Sequence, residues 1–424
     1  MKEDFLQYIW KYKKMKTANL QSTAGETIYL VDTGIHNLHA GPDFFNAKLS
    51  IGEQLWAGNV EIHVKSSDWY AHGHEKDKNY NNVILHVVWE HDIEVYRSDN
   101  TLLPTLELKD RVSAHLLDNY NTLVSGKQQF INCENSLCSV NSFVVKNWLE
   151  RLYFERLENK ATRILEELEA SQNDWEAVLF KMLMRNFGLN INGEAFYEAA
   201  KRLDFAVVRK VWSNPVQLEA LLMGVTGLLK ATNLLETYPG ALQKEYAYLK
   251  NKFVTIQDGP IAPKFFKLRP ANFPTVRLSQ LATLYYRYQN LFSEIIKTNT
   301  VEALYKLFDV ATSVYWETHY TFGKQSREQV KKVSKSFIDL LIINTILPIK
   351  FCYAKYMGND ENDVLLQLIT AIKAEKNSIS DKYKNIGMEI PSALESQGVL
   401  QLYNDFCMKN NCLRCAVGNT LLKG

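Results

Sequence analysis

Residues 40–74 read AGPDFFNAKLSIGEQLWAGNVEIHVKSSDWYAHGH, and their pattern decides the fold. Apolar and polar residues alternate along FFNAKLSIG and again along QLWAGNVEIHVK, with Gly52 between the two runs. Period-two alternation marks half-buried β-strands, and a short break between two such runs marks a hairpin. Val60, Ile62 and Val64 then line one face of the second strand, and Glu61, His63 and Lys65 line the other. Asp43 opens the first strand behind the turn-forming Gly41-Pro42. Pairing the strands sets its carboxylate beside that of Glu61. Two carboxylates on adjacent strands suit one hard cation, Mg²⁺ or Mn²⁺, with waters completing an octahedron. A cation so placed can activate water and neutralise charge on a phosphodiester.

The same region concentrates histidine: seven of the nine in the chain fall between His36 and His91. His72 and His74 lie in a polar connection with Asp77 close by, a Zn²⁺ or Mn²⁺ donor set as readily as a pair of substrate contacts. The bland alternative for the whole cluster is a solvated strand face. His86 sits inside the apolar run VILHVVWEHDIEVY, a central strand buried on both faces, and reads as a core histidine bonded to backbone or to a carboxylate. Trp69 and Tyr70 could stack on a base, although burial is the commoner use of a tryptophan such as Trp69.

Working outward, residues 3–15 (EDFLQYIWKYKKM) space Phe5, Ile9, Trp10 and Tyr12 helically. ETIYLVDTG adds a strand ahead of the hairpin, and residues 67–82 read as loop or short helix. After about Ser142 the rhythm becomes helical: KNWLERLYFERLENKATRILEELEA keeps charges opposite an apolar stripe. Helices continue, interrupted by a proline-marked crossing between Asp258 and Tyr288, as far as Lys373. The chain therefore reads as α+β, with a mixed-sheet domain over residues 1–140. A mostly helical domain follows over 141–424, carrying a cysteine-bearing C-terminal segment.

Hydrophobic residues make up 46% and charged residues 23%, with a net charge of +2, so no global charge demands a nucleic-acid partner. The longest apolar run, FIDLLIINTILPI (337–349), contains Pro348 and falls short of the ~20 residues that span a bilayer. The N-terminal residues lack the uninterrupted apolar stretch of a secretion signal. These features predict a cytoplasmic protein with no membrane association. No phosphate-binding loop of the P-loop type and no serine-nucleophile elbow occurs, which turns the reading away from those two chemistries.

A-G-P-D-F, G-N-V-E-I-H, S-D-W-Y-x-H-G-H, Y-N-N-V-I-L-H-V-V, R-P-A-N-F-P-T-V-R and a terminal C-x₄-C-x₂-C follow one another in this chain. Together they resemble the bacterial domain of unknown function 2851 family over nearly the whole length. The N-terminal order of elements also resembles the PD-(D/E)XK nuclease core, which runs helix, three antiparallel strands, helix, strand. That resemblance implies a sheet of restriction-endonuclease-like type. Asp43 matches its PD element, Glu61 its second acid, and Glu3 the acid that some members carry on the first helix. It implies that the acids hold Mg²⁺ while a lysine orients the attacking water. Here His63 stands where that lysine is expected. Lys65 shares the face one pleat further on, about 7 Å along the strand. Lys48, on the partner strand, could reach across, and His63 itself could act as ligand or base.

Cys407, Cys412 and Cys415 lie close enough in sequence to share a metal, with Cys133, or Cys138 beside it, as the fourth donor. Zinc is the first expectation for these thiols and an iron–sulfur cluster the alternative. Cys352 reads as core. Arg269 and Arg277 flank Pro-bracketed aromatic sequence and could grip a phosphate or, equally, hold a structural turn. The basic run Gly323–Lys335 reads as a solvated helix face. The expected function is a divalent-metal-dependent nuclease-like phosphodiesterase acting on DNA or RNA. In it Asp43, Glu61 and His63 would hold the ion, Lys65 or Lys48 would steady phosphate charge, and His72, His74, Arg269 and Arg277 would touch substrate. The alternatives are an inactive module that binds nucleic acid or protein, and a Zn²⁺-dependent hydrolase of small molecules.

Overall fold

A computed structural model describes residues 1–125, 130–230 and 237–423. The chain forms two compact units. The first comprises Met1–Trp148, Asn385–Met388 and Leu402–Gly424, and the second Leu149–Lys384 and Glu389–Gln401. An N-terminal mixed sheet followed by a mostly helical region is the α+β architecture expected from the sequence. The exit at Trp148 lies near the expected boundary. The tail after Leu402, which the sequence reading placed with the helices, belongs to the sheet unit.

The first unit opens with α1 (Glu3–Lys11), whose acids fall in the first turn and whose lysine falls in the last, as the helix dipole favours. Phe5, Leu6, Ile9 and Trp10 recur on one stripe and are buried. The strands are β1 (Leu20–Gln21), β2 (Thr27–Asp32), β3 (Ile35–His36), β4 (Phe44–Ile51), β5 (Gln54–Lys65), β6 (Val83–Glu90) and β7 (Thr105–Glu107). They order as β1-β2-β4-β5-β6-β7, with β3 also on β4. β2, β4 and β5 run antiparallel, while β6 and β7 add in parallel. A parallel neighbour requires a crossover, so residues 66–82, including α2 (Asp68–Ala71), span the sheet between β5 and β6. β6 is buried from Val83 to Val88, the central strand its composition predicted.

One face of this sheet supplies the core. Phe44, Leu49, Val60, Ile62 and Val87 pack with Phe5 and Ile9 of α1 and with Leu116 and Tyr120 of α3 (Ala114–Ser125). Phe44 and Ala47 are both buried although they sit an odd number of residues apart. The register slips between them, and Asn46 takes φ +55. This bulge lets both side chains face the core, which strict alternation forbids.

The second unit is helical around one apolar core. Its helices include α4 (Ser142–Ala170), which begins in the first unit, and α5 (Trp175–Phe187). Two expectations are corrected here. Residues Lys335–Met357 form one continuous 23-residue helix, long and apolar enough by length and composition to cross a membrane, with 78% of its apolar window buried. A π turn at Ile342–Ile346 just ahead of Pro348 absorbs the missing N–H, so the proline does not end the helix. The basic run Gly323–Lys335 is a hairpin turn and an extended strap, not a helix face. Within it Lys331 is buried and donates to the carbonyls of Trp316 and Glu317.

Candidate metal centre

Asp43 reaches the sheet from a loop that Asn37 organises. The Asn37 Nδ2 points at the carbonyls of His39, Ala40 and Pro42 (3.0, 3.2 and 3.1 Å), and its backbone N–H donates to the carbonyl of Asp43 (2.7 Å). The Asp43 carboxylate accepts from Gln7 Nε2 of α1 (2.7 Å) and from the backbone N–H of Ile62 (3.0 Å). The backbone N–H of Asp43 donates in turn to Glu61 Oε2 (3.0 Å). The two acids therefore meet on the face opposite Val60 and Ile62, Glu61 by the alternation of β5 and Asp43 by the bulge in β4.

The other oxygen of Glu61 turns toward imidazoles. Glu61 Oε1 lies 3.3 Å from His74 Nε2 and 3.6 Å from His63 Nε2. His63 Nε2 lies 3.1 Å from His72 Nδ1. One ring nitrogen from each of His63, His72 and His74 falls within 4.8 Å of the others. A cation bound at about 2.1 Å in tetrahedral or octahedral geometry sets neighbouring donors roughly 3.0–3.5 Å apart. The pairs Glu61–His74, Glu61–His63 and His63–His72 are close to an edge of such a coordination polyhedron, while the set whose donors all fall within 4.8 Å is the three histidines without either carboxylate. His74 Nε2 is moreover buried with no hydrogen-bond partner, although a carboxylate oxygen stands beside it. A lone pair sealed from water and left unshared fits a ligand position better than a core contact.

Electrostatics favour a cation at this point. Burial, reinforced by the Glu61 charge, pushes the Asp43 carboxyl well above the usual range, and burial does the same to Glu61. Glu3, at the start of α1, is also raised by burial. Among the described residues no lysine or arginine nitrogen comes within ion-pair distance of Asp43 or Glu61. Burial, then the neighbouring ring of His86, holds His63 down to about 2, and burial holds His86 to about 3. Both rings are therefore neutral, the form in which imidazole binds metals.

A second layer fixes the first. His63 Nδ1 and His86 Nε2 share a proton at 2.8 Å, which leaves His63 Nε2 to face the carboxylate. His74 stacks on Tyr80 with ring centroids 3.7 Å apart, and Trp69 packs edge-on against it. Trp69 is buried, as expected, while His72 is exposed and opens the cluster to solvent. The side chain of Asp77 caps a short 3₁₀ turn by accepting from Asn79 N–H (2.9 Å), so it holds the His74 segment.

Other expected participants sit elsewhere. Lys65 lies at the exposed end of β5, with its backbone N–H donating to Asp68 (2.9 Å). Lys48 is exposed and registers with Ala57, four residues before Glu61 and so about 13 Å away along the strand. It does not take the place of the missing lysine. Arg277 is buried in the second unit, where it donates to Gln280 (2.9 Å) and Asn272 (2.6 Å) and lies 3.5 Å from the centre of the Phe337 ring. It locks the Pro-rich turn, whereas Arg269 is exposed at the head of that turn. Cys133, Cys407, Cys412 and Cys415 come together in the first unit, and Cys138 turns away to donate to the carbonyl of Ile386. Gln7, Asn37 and Tyr80 were not singled out from sequence. Gln7 alone carried a signal, one turn after Glu3 on the predicted helix.

The fold and the site define an α+β protein whose mixed sheet presents a buried carboxylate–imidazole centre. The chain matches over residues 3–378 the family described as Protein of unknown function (DUF2851), and it belongs to that family. No curated protein and no solved structure matches it.

Proposed function

We propose that this chain is a divalent-metal-dependent phosphodiesterase acting on DNA or RNA, with its centre at Asp43, Glu61, His63, His72 and His74. The observation that carries this reading is the buried pair Asp43–Glu61, joined by a backbone hydrogen bond and, among the described residues, left without a lysine or arginine counter-charge. The order helix, antiparallel strands, crossover and parallel strand around that pair supports it, since it resembles the order expected of a PD-(D/E)XK core.

Three imidazoles and a carboxylate suit Mn²⁺ or Zn²⁺ better than Mg²⁺. When bound, such an ion supplies Lewis-acid charge and a water ionised near neutral pH. The remaining work falls to the chain. Glu61, His63, His72 and His74 offer the donors. Asp43 steadies Glu61 through its backbone N–H, Gln7 steadies the Asp43 carboxylate, and His86 fixes the tautomer of His63. Trp69 and Tyr80 exclude water on one side, while exposed His72 leaves the other side open to substrate. Lys65, on the same face as His63, offers positive charge to a phosphate. The three clustered imidazoles also favour a second reading, a Zn²⁺-dependent hydrolase of small molecules.

Cleavage of single-stranded, double-stranded and branched substrates with Mg²⁺, Mn²⁺ or Zn²⁺ tests the proposal, with Asp43→Asn and Glu61→Gln run beside the wild type. The expected result is cleavage favoured by Mn²⁺ or Zn²⁺ and reduced at least about 100-fold in both variants. Equal rates in all three proteins remove catalysis from this site. Zinc that is lost on His74→Ala, without any nucleic-acid cleavage, selects the second reading.

A further inference from the structure

The first unit holds a second cluster of metal-binding side chains that the carboxylate–imidazole centre does not use. None of the six cysteines is in a disulfide. Four of them converge from two distant parts of the chain. Cys133 follows Asn132, whose Nδ2 donates to the Cys412 sulfur at 3.5 Å and to Asn410 Oδ1 at 3.2 Å. Phe130 stacks on Tyr403 and Trp148 packs edge-on against Phe406, so both flanks of the two segments are fastened together. Cys133 and Cys412 rest against the same apolar core. The thiols of Cys407, Cys412 and Cys415 all lie within electrostatic reach of Cys133. Cys415 is buried at the head of the last helix, Ala416–Lys423. The approach there is tight: a Cβ on Gly418 would stand 2.1 Å from the Cys412 carbonyl oxygen.

Spacing separates the two kinds of centre that four thiols can hold. Zinc binds all four sulfurs itself at about 2.3 Å, which forces them to roughly 3.8 Å from one another. Among the described residues no three cysteine sulfurs lie within 4.8 Å of one another. In an iron–sulfur cluster no iron carries more than two of the thiolates and sulfide bridges the irons, so the four cysteine sulfurs spread over a larger inorganic core. We propose that Cys133, Cys407, Cys412 and Cys415 ligate an iron–sulfur cluster that fastens the returning segment after Leu402 to the sheet unit. The Asn132 amide aimed at Cys412 Sγ is the kind of hydrogen bond such a cluster uses to spread its negative charge.

The test is chemical analysis of the full chain purified without air, followed by reconstitution with ferrous iron and sulfide. The expected result is about two to four iron atoms per chain with matching acid-labile sulfide, and broad visible absorption that a reductant bleaches. Cys412→Ser and Cys407→Ser lose that absorption, while Cys138→Ser and Cys352→Ser keep it. Glu61→Gln keeps it as well, so a failure of the catalytic proposal leaves this one standing. One zinc per chain with no sulfide overturns the cluster, as does wild-type protein that takes up neither iron nor zinc. Equal absorption in wild type and Cys412→Ser overturns it by a route that does not depend on whether the variant folds less well.

Discussion

His86 shows how one side chain can be both core and site. It is fully buried in β6, yet its Nε2 sets the proton of His63 Nδ1. A ligand whose far nitrogen loses its partner turns more freely and binds more weakly, typically by 10–100-fold. His86→Leu should therefore leave the protein folded while lowering affinity for Mn²⁺ or Zn²⁺ by about that factor. Competition with a chromogenic chelator reads the change directly, and an unaltered affinity would show that His63 needs no brace. The sequence placed His86 inside a buried strand, but a lone histidine there carries no sign of which ring it touches. The partner emerges only from the parallel register, which sets Glu61 beside His86.

Elements carry the next part of the argument. Alternation along β5 was enough to place Glu61 and His63 on one face, but carried back along β4 from Ala47 it sets Asp43 on the core side, and only the bulge turns that carboxylate to the acids' face. It gave no notice of the bulge at Asn46, because each half of β4 alternates well on its own. That inserted residue explains why Phe44 and Leu49 share the core while Lys48 looks outward, far from the acids. The loop before it is equally constrained. Gly34 takes φ +86, and a Cβ there would stand 2.6 Å from the carbonyl of Phe45. Gly34→Ala should cost roughly 2–4 kcal/mol from strain and overlap together. Gly25→Ala, at the same φ of +86 but with nothing within 4 Å, should cost only about 1–2. Urea midpoints compare the two. The crossover of residues 66–82 was legible only as polar sequence, since the imidazoles it contributes depend on the parallel pairing of β6.

At the scale of the molecule, stability should depend on pH through the helical unit. The Glu176 carboxylate accepts from the backbone N–H of Phe292 at 3.0 Å, and burial pushes its pKa up to about 7. A carboxyl raised on folding stabilises the fold fully below its unfolded value, near 4.5, and that contribution fades as pH rises through 7. Wild-type protein should lose stability between pH 5 and 8, by at most about 3 kcal/mol from this group. Glu176→Gln should flatten the loss, matching wild type near pH 5 and exceeding it at pH 8. Thermal midpoints across that range decide the matter. Such a dependence was invisible in the sequence, where DWEAVLFKMLM shows an acid in a first helical turn and nothing of the Phe292 backbone that meets it.

The sheet unit is left at Trp148, met again briefly at Asn385–Met388, and rejoined for the rest of its length at Leu402. On the ribosome, residues 149–401 must be made before the segment bearing Leu413 and Leu422 can seal the core beneath β4 and β5. At 5–20 residues per second that interval is roughly ten to fifty seconds. Throughout it the nascent sheet waits with Cys133 facing no other thiol. The sheet unit is therefore among the last parts to mature, and the patch of its core that Leu413 and Leu422 cover stays open for that whole time.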